Sequence, residues 1–74
     1  MILLEGLLNQ TINAAVDLEE VTAGRLRPVR AWWVDQRTGV YAVRLDGQPD
    51  AFTDDMRRML EESGFRVSID AMTH

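Results

Sequence analysis

The stretch Val29 to Asp46, VRAWWVDQRTGVYAVRLD, constrains this chain more than any other. Two apolar, β-rich runs flank Gln36-Arg37-Thr38-Gly39. Asp35 can accept hydrogen bonds from the loop amides, and Gly39 can take the positive φ that closes such a turn. The segment therefore reads as a β-hairpin. Setting Asp35 opposite Val40 fixes a register in which Val34 meets Tyr41, Trp33 meets Ala42 and Trp32 meets Val43. Side chains alternate between faces along a strand. One face then collects Trp32, Val34, Tyr41, Val43 and Leu45, with Arg30 at its end, and is expected to be core. The other carries Val29, Ala31, Trp33, Asp35, Val40, Ala42, Arg44 and Asp46. Adjacent tryptophans cannot both point inward, so this register buries Trp32 and displays Trp33 within diagonal reach of Arg44. A slip of one residue would exchange the two roles. An exposed Trp beside Arg has the composition of an interface anchor. The plainer alternative is that the N-terminal segment or the chain end covers Trp33.

The remaining segments read as cover for one face of this hairpin. Within residues 2–23, positions 4, 7, 8, 11, 14, 15, 18, 21 and 22 form an uncharged helical stripe, and Gly24-Arg25 looks like a helix end. The rival reading is a strand near 11–16 followed by a short helix at 18–23, because Ile12, Ala14, Val16 and Leu18 alternate. Arg25-Leu26-Arg27-Pro28 is a connector, since Pro28 forbids helix and extends the residue before it. After the turn Asp46-Gly47-Gln48-Pro49, the sequence predicts a helix from about Asp50 to Ser63. Asp50 or Thr53 is its N-cap, and Phe52, Met56, Met59 and Leu60 form its buried stripe. Asp54–Arg58, Arg57–Glu61 and Arg58–Glu62 would pair on its outer side. Gly64 and Phe65 fit a Schellman closure, and Phe65 to Met72 alternates as a last strand. The expected fold is one small α+β domain over residues 1–74. It has a three-stranded, mainly antiparallel sheet with two helices on one face, in the order α-β-β-α-β. The alternative order is β-α-β-β-α-β.

Composition narrows the chemistry. A chain of 74 residues buries only about 60–65% of its unfolded surface, and with no Cys its core stands on packing alone or is completed by a partner. The apolar share of 46% argues against disorder. Nucleophilic Cys and Schiff-base Lys are absent, and the single His is residue 74, a poor place for a positioned base. No phosphate-binding glycine pattern or EF-hand spacing occurs. The acids of the 50–63 segment have Arg neighbours at helical spacing and read as a solvated face. No enzymatic activity, cofactor or metal is expected.

A net charge of −4 disfavours generic binding to nucleic acid or anionic membrane. The start MILLEGLLNQ has no basic region, and the uncharged run Gly6 to Val16 is too short to span a bilayer, so a cytoplasmic setting is expected. All the basic residues are Arg, which suits planar bidentate contacts, although base composition of a genome gives the same bias. Arg25, Arg27, Arg30, Arg37 and Arg44 make the one basic region of an acidic chain. With Trp33 they are the expected contact set for another protein, and the chain reads as a regulatory or inhibitory interaction module. Nucleic-acid binding through the same Arg/Trp hairpin is the alternative. Ile12 and Val16, an apolar pair on the flank of the first helix, are the expected contact of a homodimer or structural homo-oligomer.

Overall fold

The computed structural model describes residues 1–69. The elements run β1 (Ile2–Leu7), α1 (Leu8–Val21), β2 (Leu26–Asp35), β3 (Val40–Gly47), a short 3-10 turn (Pro49–Ala51), α2 (Asp54–Glu62) and β4 (Arg66–Ile69). All pairings are antiparallel and the strand order is β2-β3-β1-β4. This is the split β-α-β arrangement, in which each β-α-β unit leaves room for a strand of the other. None of the described helices is long and apolar enough to cross a membrane.

The three-stranded expectation is thus corrected to four strands, and the order is the alternative β-α-β-β-α-β. The additional strand is not the one considered near 11–16, which lies within α1. It is Ile2–Leu7, where Leu4 and Leu7 had been counted into a helical stripe. A short apolar run fits strand and helix equally by periodicity. The decision here is tertiary: β1 is flanked by β3 and β4, with Ile2 and Leu4 buried. At its end, Gly6 lies so close to Phe65 and Thr11 that a Cβ would stand 2.7 Å from the Phe65 ring. A larger residue would have to push the Phe65 ring aside where the strand gives way to α1.

α1 begins without a side-chain cap on Leu7, but its first amide donates to Gly39 O at 3.1 Å, tying the helix start to the hairpin tip. Its other end is held by Thr22, a buried residue whose hydroxyl donates to Leu18 O at 2.7 Å and accepts from Leu26 N at 3.0 Å. Between these ties Thr11, Ala15 and Leu18 face the sheet. They meet Ile2, Leu4, Leu26, Val43, Leu45, Ala51 and Val67, and Tyr41, Phe52, Met56, Leu60 and Phe65 close the margin of that core.

The second helix is shorter than expected because Pro49–Ala51 forms its own turn and the cap is Thr53, whose hydroxyl accepts from Met56 N at 3.2 Å. It closes as the sequence suggested: Gly64 has φ +97, and Phe65 N donates to Leu60 O at 3.0 Å. Arg57 pairs with Glu61 at 3.4 Å, whereas Arg58 turns to Asp55 at 3.6 Å rather than to Asp54 or Glu62. The last strand is observed over Arg66–Ile69, and its expected continuation to Met72 lies outside the described residues. Gly47 has φ +148 beside the Arg25 carbonyl, which a Cβ there would overlap.

Candidate functional site

The hairpin turn forms as anticipated: Arg37 N donates to Asp35 Oδ1 at 3.0 Å, and Gly39 has φ +77. Asp35 does pair with Val40, but the ladder then shifts. Val34 falls between paired residues, so Trp33 meets Tyr41 and Trp32 meets Ala42, and a second shift at Val29 follows before Pro28. A bulge inserts one residue into one strand and so reverses every later side chain relative to the plain register. The expectation for the two tryptophans is therefore exchanged. Trp33 lies on the helix-bearing face, with its ring edge-on to Tyr41 at 5.1 Å between centroids. Trp32 lies on the opposite face. Neither is core: Trp32 is 37% and Trp33 42% exposed.

Both helices pack on the face that carries Ile2, Leu4, Val43 and Leu45. The registers assemble the opposite face row by row. One row reads Trp32, Ala42, Glu5, Arg66, and the next reads Arg30, Arg44, Leu3, Ser68, with Arg27 opposite Asp46 beyond it. Ala42 is fully buried although it lies on the face opposite the helices. The Arg30 guanidinium stands over the Trp32 ring, 5.8 Å from its centroid. Arg44 reaches Asp46 at 3.3 Å, with both side chains near two-fifths exposed. This face offers a flat aromatic ring among four arginines, interrupted by the carboxylates of Glu5, Asp35 and Asp46. It can present planar donors to carboxylates and an apolar anchor to whatever lies between them.

Of the residues singled out from the sequence, Arg27, Arg30 and Arg44 come together on this face, and Trp33 does not join them. Arg25 and Arg37 lie off it, just beyond opposite ends of β2. Arg25 Nε donates to Thr22 O at 3.2 Å, and Arg37 sits in the hairpin loop. Ile12 and Val16 are exposed on α1, at 41% and 44%. Trp32 and Arg66 belong to the face and were missed. The adjacency of the two tryptophans was the one signal that either could be displayed, and Arg66 could be placed only once Ile2–Leu7 was known to be a strand.

A second surface lies between the helices. A groove of about 600 Å³ is walled by Ala14, Leu18 and Val21 of α1 and by Met56, Met59 and Leu60 of α2. Asp17 is the one ionisable side chain among its lining residues, beside Gln10, Asn13 and Ser63. The two helices also carry most of the acids: Asp17, Glu19 and Glu20 on α1, and Asp54, Asp55, Glu61 and Glu62 on α2 against Arg57 and Arg58. The helices are thus net acidic, whereas the open face of the sheet carries Arg27, Arg30, Arg44 and Arg66 against Glu5, Asp35 and Asp46.

Compared with protein-family models, with curated proteins and with solved structures, the chain matches none.

Proposed function

We propose that this protein is a non-enzymatic interaction module, regulatory or inhibitory, that acts by laying the open face of its sheet on a partner protein. The observation that carries this reading is the Trp32 ring, exposed above Ala42 with Arg30 stacked on it and with Arg27 and Arg44 on the same face. Trp and Arg dominate the energetics of protein interfaces because each buries a large, preorganised surface. The face has a small excess of arginine over Glu5, Asp35 and Asp46, which favours a surface of mixed charge with acidic groups placed for those arginines. The helical layer behind it is net acidic.

The test is capture from nuclease-treated native lysate, followed by affinity measurement on the purified partner. Trp32→Ala should cost about 2 kcal/mol or more if the ring is an anchor, and Trp33→Ala should cost less. Equal affinities for Trp32→Ala and the unaltered chain would sink the open face as the contact. Nucleic-acid binding by the same face is the second reading, favoured by Arg66 joining Arg27, Arg30 and Arg44 there. Against it stand Glu5 in the same row, Asp46 on Arg44 and the net charge of −4. It predicts a steep loss of affinity with salt.

A further inference from the structure

We infer that β2 is the seam of a two-fold homodimer, in which the edges of two β2 strands pair antiparallel and join two four-stranded sheets into one. Among the described residues β2 is an edge strand, and it is the longest strand of the sheet. Of its ten residues only Leu26 is buried; Val29, Ala31, Trp32, Trp33 and Val34 are all exposed. A long apolar edge is a template for another strand. Pro28 and the shifts at Val29 and Val34 interrupt the ladder on either side of Arg30–Trp33, so main-chain pairing across the seam is centred on that stretch and only side chains meet beyond it.

The second copy is chosen as occupant because the strand is complementary to itself. With the two-fold axis at Ala31, Arg30 lies opposite the partner subunit's Trp32, and Arg27 lies opposite the partner subunit's Asp35. Both pairs fall on the open face, where the registers with β3 place Arg27, Arg30, Trp32 and Asp35. One ladder shift separates Ala31 from Arg27 and one separates it from Asp35, so the count stays matched in both directions. The stacking of Arg30 on Trp32 within one chain is then repeated across the axis. A two-fold contact of this kind closes on itself and does not propagate.

The helix-bearing face fits the same seam. α1 packs over β1, β2 and β3. Gln10, Asn13, Ala14, Asp17 and Val21 turn towards α2, which leaves Ile12 and Val16 on the flank that looks towards β2. Pairing β2 with its copy would put the two β3 strands about 14 Å apart, three strand spacings. Helices of ~10 Å width then leave a trough along the seam. The half-exposed Trp33, Ile12 and Val16 of both copies are the side chains that fill it. The seam shares Arg27, Arg30 and Trp32 with the proposed partner surface, but self-association of the purified chain is read without any other protein and so is tested separately.

The test is sedimentation equilibrium with native mass spectrometry on the full chain. The unaltered protein is expected to be a dimer at tens of micromolar, and a strict monomer there overturns the inference. Arg27→Asp gives a chain with acids at both positions, and Asp35→Arg gives one with arginines at both. Each alone should weaken its own dimer roughly tenfold or more, as like charges meet twice across the axis. Mixed together they should form a heterodimer as stable as the original. If the mixture associates no better than either variant alone, the register centred on Ala31 is wrong. Circular dichroism of each variant separates loss of pairing from loss of folding. Ala31→Lys, which sets like charges on the axis at an exposed position, should give a folded monomer, and a folded dimer would again refute the seam.

Discussion

Replacing Thr22 by Val tests whether one hydroxyl joins α1 to the sheet. The substitution keeps the shape of the side chain and removes two polar contacts of different character. The hydroxyl donates to Leu18 O at 2.7 Å, a carbonyl that the Thr22 amide also reaches at 3.1 Å. Losing that donor leaves the carbonyl partnered. It also accepts from Leu26 N at 3.0 Å, and Leu26 is 1% exposed. Losing that acceptor strands a buried N–H. A buried donor without a partner costs about 1–3 kcal/mol, so Thr22→Val should destabilise by about 2 kcal/mol. In a chain of this length that lowers Tm by roughly 10 °C. Thr11→Val is the control. Thr11 is equally buried, but its hydroxyl only donates to Leu7 O at 2.8 Å, and no backbone amide depends on it. Its loss should cost under about 1 kcal/mol. Urea unfolding followed by circular dichroism measures both, with an unchanged m-value showing that the same surface is exposed. Equal midpoints for the two variants would refute the argument that the Leu26 amide makes the difference.

Gly47→Ala meets both a positive φ and the Arg25 carbonyl, and should cost about 3 kcal/mol; a Tm within a few degrees of the unaltered protein would show that the two chain segments can part cheaply. Thr53→Ala removes the acceptor for Met56 N and should cost about 1 kcal/mol, measured by the same urea titration. Arg57→Ala breaks only an exposed pair with Glu61 and should change stability by less than about 0.5 kcal/mol.

These contrasts also mark what a sequence can disclose. The second helix was legible because its signals are local: Thr53 caps it, Gly64 closes it, and Met56 and Leu60 pack against the core at helical spacing, although Met59, expected in the same stripe, is 67% exposed. The hairpin turn was legible for the same reason, through Asp35 and Gly39. The strand Ile2–Leu7 was not, because its identity depends on β3 and β4, which come from distant parts of the chain. The faces of β2 were not legible either. Its bulges add one residue at Val34 and one at Val29, and nothing in two valines distinguishes an extra residue from a paired one. The candidate surface inherited that error directly: Arg44 was placed with the wrong tryptophan, Arg30 belongs to the open face rather than to the end of the core face, and Arg27 is part of β2 rather than of a connector. A hairpin sequence specifies that two strands meet more readily than which side of each is shown.

The strand order has a consequence for the chain as it is made. β1 emerges first, yet it lies in the interior of the sheet, and Ile2 ends beside both Leu45 and Ile69. Until β4 has been made, β1 therefore has one neighbour or none. Its apolar run must wait, unpaired along one side, until the last strand leaves the ribosome. Such sequence-distant pairings slow folding, since a long loop must close before the contact rewards it. A chain interrupted after α2 would keep that side of β1 open, with Ile2, Leu3 and Leu4 offered to any other strand within reach.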